Sequence, residues 1–244
     1  MRFLLVVLSL VAITACAPEA KNLTSQPESL MDVASPEEVA EELGLSEEPS
    51  EEVSAPELNM TPMSLEQHNR LAKIDLTQHF PVVILVNKAT KGPSAQTMKV
   101  YHRGELVYQF LVSTGREKDE LAKSGRRYFS TTPVGWFAPT KTYEKYFSNT
   151  WQAWMNYSVF FIGGIATHAT TPDHYKELGT RASGGCVRLT EKNAKIVYDL
   201  ILSEDKGEVP VFTRDGSIKT GLFGKIKTQE SWNTLIIVED NPKE

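Results

Sequence analysis

The sequence predicts a mainly β domain, a sandwich or partial barrel with one clear helix, set behind an acidic tether. Three observations carry this. Short runs of strand-forming residues recur between Val82 and Val238, separated by Gly, Pro and polar turns. After Thr190 the apolar residues repeat with helical rather than strand spacing. Residues 17–77 are rich in Glu, Pro and Ser and almost free of aromatics. Such a composition cannot bury enough apolar surface to offset the entropy of ordering.

The N-terminus has the form of an export signal. Met1-Arg2 supplies a short positive region, and Phe3 to Ile13 is apolar apart from Ser9. That run is too short for a stable membrane-spanning helix. It ends in Ile13-Thr14-Ala15-Cys16, which resembles the bacterial lipobox. The resemblance implies a signal peptide over residues 1–15, cleavage before Cys16 and lipidation of its thiol and new amino terminus. With Ala17 rather than Asp next, it further implies an exported lipoprotein facing the periplasm, anchored in the outer membrane.

Residues 16–78 follow as a flexible acidic tether. From Ala17 to Glu66 there are thirteen acidic residues against one base, Lys21, and the like charges extend such a chain. Short amphipathic pieces occur at Pro36–Leu43 and Met63–Ile74. The chain's net charge of −5 hides a different balance beyond the tether. Residues 67–244 hold 18 of the 31 acids and 24 of the 26 bases. A basic domain suits a polyanionic partner, but the export signal argues against nucleic acid.

The catalytic-domain candidate spans residues 80–215. Val82–Val86 is a continuous run suited to a buried strand. Met98–His102 and Leu106–Val112 flank Arg103-Gly104-Glu105 as a hairpin. A charged loop, Arg116 to Arg127, leads to Thr132-Pro133-Val134-Gly135-Trp136-Phe137, a turn and a strand. Ser158–Ala166 is a strand with a glycine bend. Thr190 is a plausible N-cap for a helix whose Ala194, Val197, Tyr198 and Ile201 share one face, and Gly207 reads as its stop. Val209–Phe212 reads as an edge strand because of Pro210. Residues 216–244 read as a C-terminal extension with a final strand at Leu235–Val238.

The chemistry concentrates in Ser183-Gly184-Gly185-Cys186-Val187-Arg188-Leu189. Glycines before a Cys allow close backbone approach and free N–H groups. The N–H groups of Gly185 and Cys186 are therefore candidates for an oxyanion site. The chain has two cysteines, so lipidation of Cys16 would leave Cys186 without a partner. A thiol nucleophile needs a base, and His168 stands eighteen positions earlier at a strand end. Spacing and chemistry alone leave a buried structural Cys equally open.

The segment from His168 to Leu189 resembles the L,D-transpeptidase catalytic (YkuD-type) domain family, with its His, loop and Ser-x-Gly-Cys-Val-Arg signature. Val107–Gly115, Thr132–Phe137 and Trp154–Tyr157 resemble further elements of that family in the same order. The resemblance implies an L,D-transpeptidase-like β-sandwich, Cys186 as nucleophile, His168 as base, and no cofactor or metal. The partner implied is the peptidoglycan stem peptide. The thiol would attack the carbonyl between an L-centre and a D-residue of a tetrapeptide stem. It would release the terminal residue, and an amine would resolve the thioester, cross-linking stems or attaching a protein to the wall. The identity of a protein acceptor stays unknown. The resemblance also implies acylation of the thiol by carbapenem-type β-lactams.

Two departures stand out: Ala169 follows His168 where the family commonly has Gly, and Gly184 occupies a position where it often has His. Ser183, Gly184 and Arg188 are candidate substrate-binding residues, with Arg188 able to hold a stem carboxylate. Thr167 and Ala169 offer carbonyls to hold the tautomer of His168. Tyr143, Tyr146, Phe147, Trp151 and Trp154 are candidates for a lid, with core packing the expectation for at least half. His174 reads as a solvated loop residue. A zinc set of His168, His174 and Cys186 has suitable ligand types but matches no metal spacing. Two other readings stay open: an L,D-carboxypeptidase that hydrolyses the same bond, and a non-catalytic wall-binding lipoprotein.

Overall fold

The structure, a computed structural model, describes residues 62–121, 125 and 127–241. The expected export signal, Cys16 and the acidic stretch to residue 61 lie outside the described residues. The strands that build the body are β1 (Val82–Asn87), β2 (Thr97–His102), β3 (Glu105–Leu111), β4 (Gly135–Phe137) and β5 (Lys141–Tyr143). They continue with β6 (Ser158–Ile162), β7 (Ile165–Ala169), β8 (Val187–Leu189), β9 (Lys206–Pro210), β10 (Thr228–Trp232) and β11 (Thr234–Glu239). Among the described residues the α-helices are α1 (Leu65–Ala72) and α2 (Glu191–Ser203).

One sheet runs in the order β3-β2-β1-β11-β4, antiparallel except where β1 and β11 pair in parallel. The other runs β8-β7-β6-β5, with β7 and β8 parallel. Strand alternation sends Val82, Ile84, Val86, Ile236 and Val238 of the first sheet into a common core. There they join Val159, Phe161, Val187 and Leu189 of the second sheet and Ala194, Val197 and Ile201 of α2. The protein is thus mainly β, with α2 where the helical spacing placed it. Its N-cap is Thr190, whose hydroxyl accepts the N–H of Asn193 at 3.2 Å.

The first sheet is covered on its outer face too. Val83, Leu85, Leu235 and Ile237 pack beneath Leu65, Ala72, Leu76, Phe80, Trp136 and Val209. This explains why Val82–Val86 is apolar without alternation, since a strand buried on both faces needs no polar side. Each fully buried Val, Leu or Ile is worth roughly 1.5–3 kcal/mol. Uncovering those four would therefore remove stability comparable to that of a whole domain, about 5–15 kcal/mol.

Three expectations are corrected. The folded body does not begin at residue 80: residues 63–80, assigned above to the tether and its margin, cover the first sheet. Helix α1 opens with a capping box, Gln67 N–H on Ser64 Oγ at 3.3 Å and Ser64 N–H on Gln67 Oε1 at 2.7 Å. Composition misjudged this segment because a few apolar residues, Leu65, Ala72, Leu76 and Phe80, are enough to bury one side of it. Nor is the final strand part of an extension. β11 lies between β1 and β4, in the middle of the first sheet, because a parallel partner for β1 has to come from a distant part of the chain. Finally, Gly207 is not the stop of α2. The helix is capped at Glu204, Asp205 takes the left-handed conformation (φ 53°), and Gly207 already lies in β9.

Candidate active site

The parallel pairing of β7 with β8 sets the site. Thr167 lies opposite Val187 and His168 opposite Arg188. With Val187 and Leu189 directed into the core, Cys186, Arg188 and His168 fall on the opposite face. All three line one cavity of about 340 Å³, together with Arg116, Trp151, Trp154, His174 and Gly184. The register brings the thiol and the imidazole to one face.

His168 is 7 % exposed, and its Nδ1 lies 2.7 Å from the carbonyl oxygen of Ala169. That carbonyl can only accept, so Nδ1 carries the proton and Nε2 keeps its lone pair. Burial pushes the imidazole down to about 4, opposed by the Ala169 bond and helped by the charge of Arg188. The Cys186 thiol is 9 % exposed and directs its proton to Gly164 O at 3.8 Å. Burial pushes this thiol up, moderated by the Ala166 N–H and by Arg188. At neutral pH the pair therefore rests uncharged, with no hydrogen bond between the two side chains among the described residues.

The loop before Cys186 is organised differently from the expectation. Ser183 is fully buried: its hydroxyl donates to Cys186 O at 2.5 Å and accepts the Gly185 N–H at 3.0 Å. Ser183 thus shapes the loop and is not placed to bind substrate, and the Gly185 N–H is not free for an oxyanion. The Cys186 N–H remains. Gly184 does line the cavity, but a Cβ there would lie 2.9 Å from the ring of Trp151. The indole occupies the space that a side chain at position 184 would need.

Arg188 lines the cavity and pairs with Glu177 Oε2 at 3.2 Å. The other oxygen of Glu177 meets His174 Nδ1 at 2.9 Å, so His174, with its side chain 44 % exposed, is solvated as expected but also held in place. Arg116 lines the same cavity. Its Nη1 donates to Ala182 O at 2.5 Å and its Nε to Glu120 Oε1 at 2.7 Å, and this guanidinium holds the Glu120 carboxyl down at about 2. Of the five aromatics, Tyr143 and Tyr146 pack on Phe160 in the small cluster that also holds Cys186. Trp154, 53 % exposed, and Trp151, edge-on to Tyr128 at 5.1 Å, are the two that border the cavity. Sequence reasoning missed Arg116, Glu120 and Glu177. The one available signal was the position of Arg116 directly after Ser113-Thr114-Gly115.

The chain is 29 % identical over 105 residues to the Bacillus subtilis protein named "Putative L,D-transpeptidase YciB", covering 41 % of this chain and 53 % of that protein. It therefore spans about half the length of this curated relative. A solved L,D-transpeptidase from Xylanimonas cellulosilytica is 21 % identical with a TM-score of 0.44, covering 65 % of this chain and 60 % of that one. One from Mycobacterium smegmatis is 18 % identical with a TM-score of 0.44, covering 66 % and 59 %. Residues 81–212, more than half of the sequence and the stretch that carries both Cys186 and His168, match the YkuD family, so the chain belongs to the L,D-transpeptidase catalytic domain family.

Proposed function

We propose that this protein is a cysteine-dependent L,D-transpeptidase acting on peptidoglycan stem peptides. One observation carries the reading: His168, its Nδ1 proton tied to Ala169 O, opens onto the same cavity as Cys186, the one thiol among the described residues. On this reading a stem peptide in the cavity displaces the thiol proton from Gly164 O toward His168 Nε2. Sulfur attacks the carbonyl carbon as that proton moves to nitrogen, and the carbonyl oxygen becomes an oxyanion facing the Cys186 N–H. The oxyanion collapses, the carbon–nitrogen bond breaks, and the imidazolium gives its proton to the departing amine. An acceptor amine then attacks the thioester, returning the thiol proton through His168.

Charge supports the choice of substrate. Arg188 and Arg116 both border the cavity and suit the free carboxylates of a stem peptide. Arg188 would have to exchange part of its contact with Glu177 to do so. Trp151 and Trp154 offer apolar walls. Anchoring through lipid on Cys16, with the domain facing the periplasm at the outer membrane, belongs to the same proposal and rests on the lipobox-like Ile13-Thr14-Ala15-Cys16.

The test is incubation of the protein with a disaccharide-tetrapeptide, with products read by mass spectrometry. A cross-linked dimer is the expected product. Tripeptide alone would replace the transferase reading by a carboxypeptidase, and unchanged substrate would favour a wall-binding role.

A further inference from the structure

The loop before Cys186 contains two successive peptide units that are held by different residues. Ser183 Oγ ties down the N–H of Gly185 and the C=O of Cys186. Neither bond holds the peptide between them, whose C=O belongs to Gly185 and whose N–H belongs to Cys186. That carbonyl is met by the hydroxyl of Thr132, which donates to it at 2.6 Å. Thr132 is fully buried and is itself fixed from two directions. Its Oγ1 accepts the N–H of Gly115 at 2.9 Å, and its carbonyl accepts Lys88 Nζ at 2.9 Å. Lys88 is buried as well and is paired with Glu117 at 2.8 Å.

In a trans peptide the C=O and N–H point in opposite directions. A hydroxyl that holds the Gly185 carbonyl toward the protein interior therefore turns the Cys186 N–H away from it. That N–H takes no part in the β7–β8 ladder, which begins at Val187. The peptide needs such a clamp because residue 185 has to be glycine. Its φ is +137°, and a Cβ would lie 2.8 Å from both Ile165 Cδ1 and Thr131 O. Glycine satisfies the space but brings rotational freedom. A rotated peptide would present a carbonyl lone pair where the oxyanion forms.

We propose that Thr132 is a positioning residue for catalysis: its hydroxyl holds the Gly185–Cys186 peptide in the orientation that presents the Cys186 N–H to the developing oxyanion. The proposal rests on the reading of Cys186 as the acyl-accepting nucleophile. It assigns a chemical task to the Thr of Thr132-Pro133-Val134-Gly135, which lies 54 positions before the thiol and does not line the cavity.

Two reactions of the same sulfur separate this role from a structural one. Acylation by a carbapenem passes through an oxyanion, whereas alkylation by iodoacetamide displaces iodide at a saturated carbon and forms none. Both are followed on the full chain by peptide mass mapping at Cys186, in wild type, Thr132→Val and Thr132→Ser. Thr132→Val should slow acylation about 10²-fold or more, the scale of losing an oxyanion donor, and leave alkylation within about twofold. Thr132→Ser, which keeps the hydroxyl, should acylate within about tenfold of wild type. If Thr132→Val fails to fold, Thr132→Ala against Thr132→Ser provides the same comparison. Acylation by Thr132→Val at the wild-type rate overturns the proposal, and so does an equal loss in both reactions. A wild type that is alkylated but never acylated overturns the nucleophile reading itself, and this proposal with it.

Discussion

Two buried histidines in this molecule have opposite surroundings. His68, on α1, is fully buried, and its Nε2 meets Glu239 Oε1 at 2.8 Å. The same carboxylate oxygen accepts the N–H of Met63 at 2.7 Å. The ring of His68 stands edge-on to Trp136 at 5.3 Å, and its Nδ1 is enclosed with no hydrogen-bond partner. His168 is nearly as buried, but its fixed nitrogen is spent on a main-chain carbonyl of its own strand and its other nitrogen belongs to a cavity. Burial therefore does not separate these two histidines. What separates them is the surroundings of the second nitrogen: protein on every side for His68, a cavity shared with a thiol for His168.

The strongest way to break this comparison is to remove each group and read activity and stability separately. Cys186→Ala should abolish turnover of a tetrapeptide substrate, since no other described residue offers a thiol. His168→Ala should lower the rate by about 10²–10⁴-fold, the usual contribution of a general base. Full activity in His168→Ala would remove it from the mechanism. His68→Ala should do the reverse, leaving the rate near wild type in the cold and lowering unfolding stability by about 2–4 kcal/mol in denaturant melts. Deleting residues 1–79, which removes α1 and its cover over Val83, Leu85, Leu235 and Ile237, should prevent folding, as dispersed amide NMR signals or their loss would report.

Acid sharpens the comparison further. The lowered pKa of His168 keeps its imidazole neutral, and so able to accept a proton, as pH falls to about 4. The acid limb of kcat/KM should fall near that pH rather than near 6.5, dropping about tenfold per unit below it. A limb at 6.5 would mean that the imidazole is solvated during turnover. His174→Ala, which breaks the contact with Glu177 and leaves the base untouched, should cost less than about tenfold. A loss equal to that of His168→Ala would reassign the base. Cys16→Ser should change the rate least of all while releasing the protein from the membrane fraction. Retained palmitate labelling in that variant would end the lipobox reading.

Local sequence determined a good deal about this protein. The β-rich body followed from strand-forming runs and turn residues, and helix α2 from Thr190 and an apolar face, because each is set by near neighbours along the chain. The meeting of Cys186 and His168 at one cavity was legible only as a pattern, since a separation of eighteen positions fixes no distance. The parallel β7–β8 register decided that distance and the shared face, because alternation along two adjacent strands places alternate residues on the same side. Tertiary structure alone assigned residues 63–80 to the core and β11 to the middle of a sheet, since burial there depends on faces presented by distant strands. It also decided the fate of the loop's polar groups. Ser183 and the Gly185 N–H face each other, and Thr132 faces the Gly185 carbonyl. A buried donor must find an acceptor wherever the fold brings one, and that choice is made across space, not along the chain.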